Sequence, residues 1–91
     1  MWETTDPDGR RLQLSGERWL HIIEDHEELA SELDEILRGL PAPALRRHGR
    51  WPEEEWFYLA GPGPSRFVKV VVHYEGGEGR IITAFPRRAF P

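Results

Sequence analysis

Arg66-Phe67-Val68-Lys69-Val70-Val71-Val72-His73-Tyr74-Glu75-Gly76-Gly77-Glu78-Gly79-Arg80-Ile81-Ile82-Thr83-Ala84-Phe85 is the stretch on which the fold turns. Val68, Val70 and Val72 alternate with Lys69, Val71 and His73, so residues 66–74 read as a central strand with one dry face and one partly polar face. Residues 80–85 form a second β-type run, and the glycine-rich connection between the two is too short for a parallel crossover. A hairpin follows. Residues 45–50 and 54–60 repeat the pattern upstream, and Gly61-Pro62-Gly63-Pro64 separates 54–60 from 66–74. The C-terminal half is thus predicted to be a four-stranded antiparallel sheet.

The N-terminal half has another period. From Trp19 the apolar positions Ile22, Ile23, Leu29, Ala30, Leu33, Ile36, Leu37 and Leu40 fall on one stripe at about 100° per residue. Ser15 is suited to cap the start of this helix, with Glu17 placed where negative charge favours a helix N-terminus. Gly39 and Pro41 end it. An unbroken helix over this stripe would run roughly 36 Å, against a diameter of roughly 30 Å for a compact chain of this length. A break is therefore predicted between Asp25 and Glu28. Ahead of the helix, Asp6-Pro7-Asp8-Gly9 is a turn cluster and residues 10–14 alternate as a short edge strand, leaving residues 1–9 as a flexible arm and 87–91 as a tail. The expected architecture is α+β in one domain over residues 1–91: two helical segments packed on the four-stranded antiparallel sheet, in the order β-α-α-β-β-β-β.

Composition narrows the setting. Ninety-one residues, 38% hydrophobic, supply one core and not two. The absence of cysteine excludes disulfides and thiolate chemistry, and with no leader-like or membrane-length apolar run it points to the cytoplasm. The net charge of -4 gives no global attraction to nucleic acid. Acidic residues crowd residues 24–35, however, whereas Arg46, Arg47, Arg50, Arg80, Arg87 and Arg88 form basic islands, and Lys69 is the single lysine.

Chemistry-bearing side chains are few. His21 and His26 lie about 140° apart on an ideal helix and cannot share a metal as an i,i+4 pair would. His26 is in phase with the apolar stripe; His21 faces away, with Asp25 at i+4 to orient its imidazole. Thr83 interrupts an apolar strand, and its hydroxyl is placed to bind a phosphate oxygen or a water if its face is open. Lys69 and His73 share a strand face that, with Thr83, would make an anion site, and Trp56 or Tyr58 offers a surface on which a base can stack. Each also has a plainer reading as core packing or a solvated face. The glycine loops lack the lysine and following helix of a phosphate loop, and Glu53, Glu54 and Glu55 do not form an acid–base pair. No metal-ligand spacing and no cofactor motif is present.

Three segments together resemble one family: Glu17-Arg18-Trp19-Leu20-His21-Ile22-Ile23 with His26 and Leu29; Trp56-Phe57-Tyr58 with Val70-Val71-Val72; and Gly79-Arg80-Ile81-Ile82-Thr83-Ala84-Phe85. The combination resembles the small, often phage- or mobile-element-associated proteins of the barnase, EndoU, colicin and RelE-like ribonuclease group. The resemblance implies helices on a four-stranded antiparallel sheet and metal-independent cleavage of RNA through a 2′,3′-cyclic phosphate, as in toxin-type effectors with a neutralising protein partner. By that resemblance His21 and His26 are acid or base, Thr83 contacts phosphate, and Arg18 or Arg80 stabilises charge; to these the reading of the strand faces adds Tyr58, Lys69 and His73 as substrate-binding residues. The alternative is a catalytically inactive protein-interaction module that uses an exposed aromatic and arginine surface.

Overall fold

A computed structural model describes residues 1–61 and 67–88. The elements run β1 (Trp2–Thr5), β2 (Arg11–Leu14), α1 (Gly16–Asp25), a 3-10 turn (Glu27–Leu29), α2 (Leu33–Gly39), β3 (Leu45–His48), β4 (Glu54–Ala60), β5 (Phe67–Glu75) and β6 (Glu78–Arg87). The α+β class holds, but the four-stranded antiparallel sheet does not. There is one six-stranded mixed sheet in the order β1-β2-β6-β5-β4-β3. The predicted meander β3–β6 is within it, and the N-terminal hairpin extends it by pairing β2 parallel to β6, Leu12 opposite Gly79 and Gln13 opposite Arg80.

Two sequence features account for the larger sheet. Residues 2–5, expected as part of a flexible arm, form β1 because the Asp6–Gly9 turn reverses the chain: the Asp6 N–H donates to the Arg10 carbonyl at 3.0 Å, and Gly9 takes φ 85°. Leu12 and Leu14 then bury completely or nearly so. Gly79 makes the parallel join possible. A Cβ there would sit 2.5 Å from Leu12 and 2.7 Å from Val72, so only glycine lets β2 lie this close to β6.

The helical stripe breaks where chain length required. α1 ends with His26 as its C-cap, at φ -138° and ψ 72°, and the chain restarts as the 3-10 turn before α2. Ser15 caps α1 by accepting the Arg18 N–H at 3.0 Å. Trp19, Ile22, Leu29, Ile36 and Leu40 pack with Phe57, Leu59, Val68, Val70, Val72, Tyr74, Ile81 and Ala84, so the helices cover one face of the sheet. Each such side chain fully removed from water contributes about 1.5–3 kcal/mol. The Thr4 hydroxyl donates to the Leu37 carbonyl at 2.6 Å, fastening β1 to α2.

At the β5–β6 turn Gly76 and Gly77 have φ of 62° and 83°, the left-handed pair that a two-residue hairpin demands. β6 continues to Arg87, past the predicted strand end; residues 89–91 of the expected tail, and most of the Gly61–Pro64 separator with Arg66, lie outside the described residues. No helix among the described residues is long and apolar enough to cross a membrane.

Candidate functional site

Directly paired strand residues share a face, so the register sorts the side chains of the meander into two sets. Phe57, Val70 and Ala84 face the helices. Tyr58, Lys69 and Phe85 form one row on the opposite face, Trp56, Val71 and Thr83 the next, and Glu54, His73 and Arg80 a third. A bulge makes this possible. Val71 pairs with Thr83 and Val72 with Ile81, so Ile82 is the extra residue, and Ile81 reaches the core while Thr83 and Phe85 point to the second face.

No helix among the described residues covers this second face, and its centre is a caged cation. The Lys69 ammonium lies 3.5 Å from the ring centre of Trp56, 5.4 Å from Phe85 and 5.8 Å from Tyr58. Such contacts contribute roughly 0.5–2 kcal/mol each, rising with desolvation. Among the described residues no carboxylate pairs with Lys69. Burial pushes its pKa down and the Arg87 charge lowers it further, with Glu54 opposing. His26 meets the same ring, its imidazole centre 5.9 Å from that of Phe85. An imidazole and an ammonium thus lie 5.9 and 5.4 Å from the centre of one phenylalanine ring, with Thr83 two residues back along the strand.

The structure therefore gathers His26, Thr83, Lys69, His73 and Arg80 on or at the rim of one face. Tyr58 belongs to the same row but is 1% exposed, so it forms the floor and is not a stacking surface; Trp56 and Phe85 are the partly exposed rings. His21 does not join them. It is exposed on α1, and its Nε2 is 3.9 Å from Glu17, so the pairing expected with Asp25 is replaced by one a turn earlier. Arg18, on α1, meets the set only at Arg80, with which, and with Ser15, it lines a groove of about 480 Å³ beside the β2–β6 join.

A second charged cluster, on the helix side of the sheet, escaped sequence reasoning. Asp6 is buried and accepts four hydrogen bonds: from the Asp8 N–H at 2.8 Å, the Arg10 N–H at 2.9 Å, Arg10 Nε at 2.8 Å and the Tyr74 hydroxyl at 2.8 Å. Arg10 also donates to Glu55 at 3.0 Å, and its guanidinium stacks 3.9 Å from the Tyr74 ring centre. Arg46 binds Glu55 at 2.6 Å and Asp8 at 2.9 Å. Burial by itself would raise the Asp6 and Glu55 pKa values, but the donors around each carboxylate hold both below their ordinary range. The Tyr74 hydroxyl, desolvated and bonded to Asp6, is pushed up. The only local sign of this cluster is the Asp6–Gly9 turn; Glu55 and Tyr74 are 49 and 68 residues away from Asp6, the latter separation being that of the hydrogen bond itself.

Among the described residues no group of His, Asp and Glu could hold a metal ion. Comparison with family models, curated proteins and solved structures finds no match to this chain.

Proposed function

We propose that the second face of the sheet binds RNA and cleaves it by transesterification, the activity implied by the family resemblance. The observation that carries this reading is the juxtaposition of His26 and Lys69 around Phe85, with Thr83 beside them on a basic, aromatic face. Arg11, Arg47, Lys69, Arg80 and Arg87 line or rim that face together with Glu3, Glu54, Glu75 and Glu78; Arg80 pairs with Glu75 at 3.6 Å and Arg11 with Glu3 and Glu78, while the acidic residues of positions 24–35 belong to the helical side. Among the described residues Arg47, Lys69 and Arg87 are in no salt bridge, and these are the cations of the face left for a polyanion.

In the proposed reaction His26 takes the proton of the ribose 2′-hydroxyl. The 2′-oxygen attacks phosphorus and the bond from phosphorus to the 5′-oxygen breaks. Lys69 stabilises the charge on the phosphorane and gives a proton to the departing 5′-oxygen, leaving a 2′,3′-cyclic phosphate and a 5′-hydroxyl; its lowered pKa makes it the better acid. Thr83 donates a hydrogen bond to a non-bridging oxygen. His21, exposed and paired with Glu17, has no part in this scheme.

The test is incubation of purified protein with end-labelled RNA in chelator, followed by analysis of product ends. Cyclic phosphate termini are expected, and His26→Ala is expected to slow their formation at least ~100-fold, the usual contribution of a positioned base. An inert wild type, or a His26→Ala variant as fast as wild type, would overturn the assignment.

A further inference from the structure

The Trp56 indole is the best stacking surface of the second face, yet its ring is already occupied by Lys69 at 3.5 Å. That ammonium has three N–H donors and no carboxylate partner among the described residues. We infer that Lys69 gates Trp56: a phosphate draws the ammonium off the indole, and the uncovered ring accepts an unpaired nucleobase, so that the face selects single-stranded RNA over duplex. This rests on the reading of the second face as an RNA site and adds to it the substrate class and the order of events.

The physical argument has three parts. A charge-assisted hydrogen bond to phosphate is stronger than a cation–π contact at a partly exposed site, so the exchange runs toward the phosphate. The flexible lysine stem lets the ammonium move without displacing β5, whereas Trp56 is held between strands β3 and β5, opposite Arg47 and Val71. Duplex RNA keeps its bases paired and stacked and can offer only phosphates and 2′-hydroxyls, so the indole gains nothing from it. Lys69 then has two successive roles, covering an apolar ring when the protein is free and clamping phosphate when it is loaded.

The probe is a labelled 2′-O-methyl oligonucleotide of about 12 nucleotides, within the range such sites span, compared with its duplex by fluorescence anisotropy. The 2′-methyl group blocks the nucleophile, so binding is read apart from cleavage. The single strand is expected to bind at least ~10-fold tighter than the duplex, and Trp56→Leu is expected to lose ~10-fold on the single strand while Trp56→Phe keeps most of the affinity. Lys69→Met should reduce the slope of log affinity against log salt by about 0.7, the loss of one phosphate contact on a single strand. Thermal melts of each variant show whether the fold is intact. Equal affinity for duplex and single strand, or an unchanged Trp56→Leu, would overturn the gate. If the oligonucleotide binds as expected but unmodified RNA is never cut, the cleavage chemistry fails and the gate stands; if RNA is cut in a His26-dependent way but Trp56→Leu binds normally, the gate alone fails.

Discussion

Arg10 and Lys69 each lie against an aromatic ring of the same sheet, 3.9 Å from the centre of Tyr74 and 3.5 Å from that of Trp56, but in opposite electrostatic circumstances. Arg10 also binds Asp6 and Glu55, whose carboxylates are shared with Tyr74 and Arg46. Its charge is fully answered, and no buried side-chain polar atom among the described residues lacks a partner. Lys69 has rings around it and, among the described residues, no salt-bridged carboxylate, Glu54 acting on it only through its charge. A satisfied network is what a structural joint requires; a cation that, among the described residues, has no acceptor and no helix over its face is what a site for an external anion requires. The two clusters differ in kind: one fastens the N-terminal hairpin to the meander, and the other is the one we propose to meet phosphate.

The sharpest way to break this contrast is Asp6→Ala. It would leave Arg10 and Arg46 without the carboxylate at the centre of their network and the Tyr74 hydroxyl without an acceptor. Removing one member of a buried pair costs about 3–5 kcal/mol; with Arg10 and Arg46 side chains 34% and 28% exposed, the expected loss lies at the lower end, about 3 kcal/mol. Thermal denaturation should show this as a fall of roughly 15 °C for a domain of this size. A variant that melts with wild type would strip the network of its role.

Acid should do the same by degrees. Asp6 and Glu55 are held below their ordinary pKa values, so the folded state binds fewer protons than the unfolded one at these sites. Their contribution is complete above the unfolded carboxylate values, near pH 4, and disappears as pH falls through the lower folded values. Denaturant midpoints between pH 7 and pH 3 should fall in the wild type and fall less in Asp6→Ala. Parallel curves would show that other carboxylates dominate.

The smallest effect on stability is expected from Lys69→Met. The methionine keeps the apolar stem over Trp56 and gives up the cation–π contacts, but it also lifts the burial cost of the ammonium, so the loss should be ~1 kcal/mol, well below that of Asp6→Ala. A loss as large as that of Asp6→Ala would mean that the cage is a structural element and not a site.

Reading the sequence recovered what depends on local pattern. The valine alternation placed Lys69 and His73 on one face, the glycine pair gave the hairpin, and chain length against helix rise located the break at His26. Thr83 was legible as an interruption, although its final direction depends on the bulge at Ile82, which no alternation rule contains. Contacts between distant residues were not legible. The Asp6–Gly9 turn announces a reversal but not that Tyr74 will receive it, and Gly79 reads as a loop residue until Leu12 is seen to need the space of its missing Cβ. Those two contacts turned part of the expected arm into β1 and seated the expected edge strand, β2, in the sheet, so that four strands became six. Tyr58 was misjudged for a related reason: alternation assigns a face but not how deeply a ring sinks into it, and here the ring is buried.

The most direct test of the division between the two clusters is an amide chemical-shift titration of isotopically labelled protein with the 2′-O-methyl single strand. Shifts confined to residues 54–58, 67–73 and 80–87, with His26, and quiet signals at Asp6, Arg10 and Tyr74, are the expected result. Shifts centred on the Asp6–Arg10–Arg46 cluster, or none on the Lys69 face at saturating strand, would contradict the account.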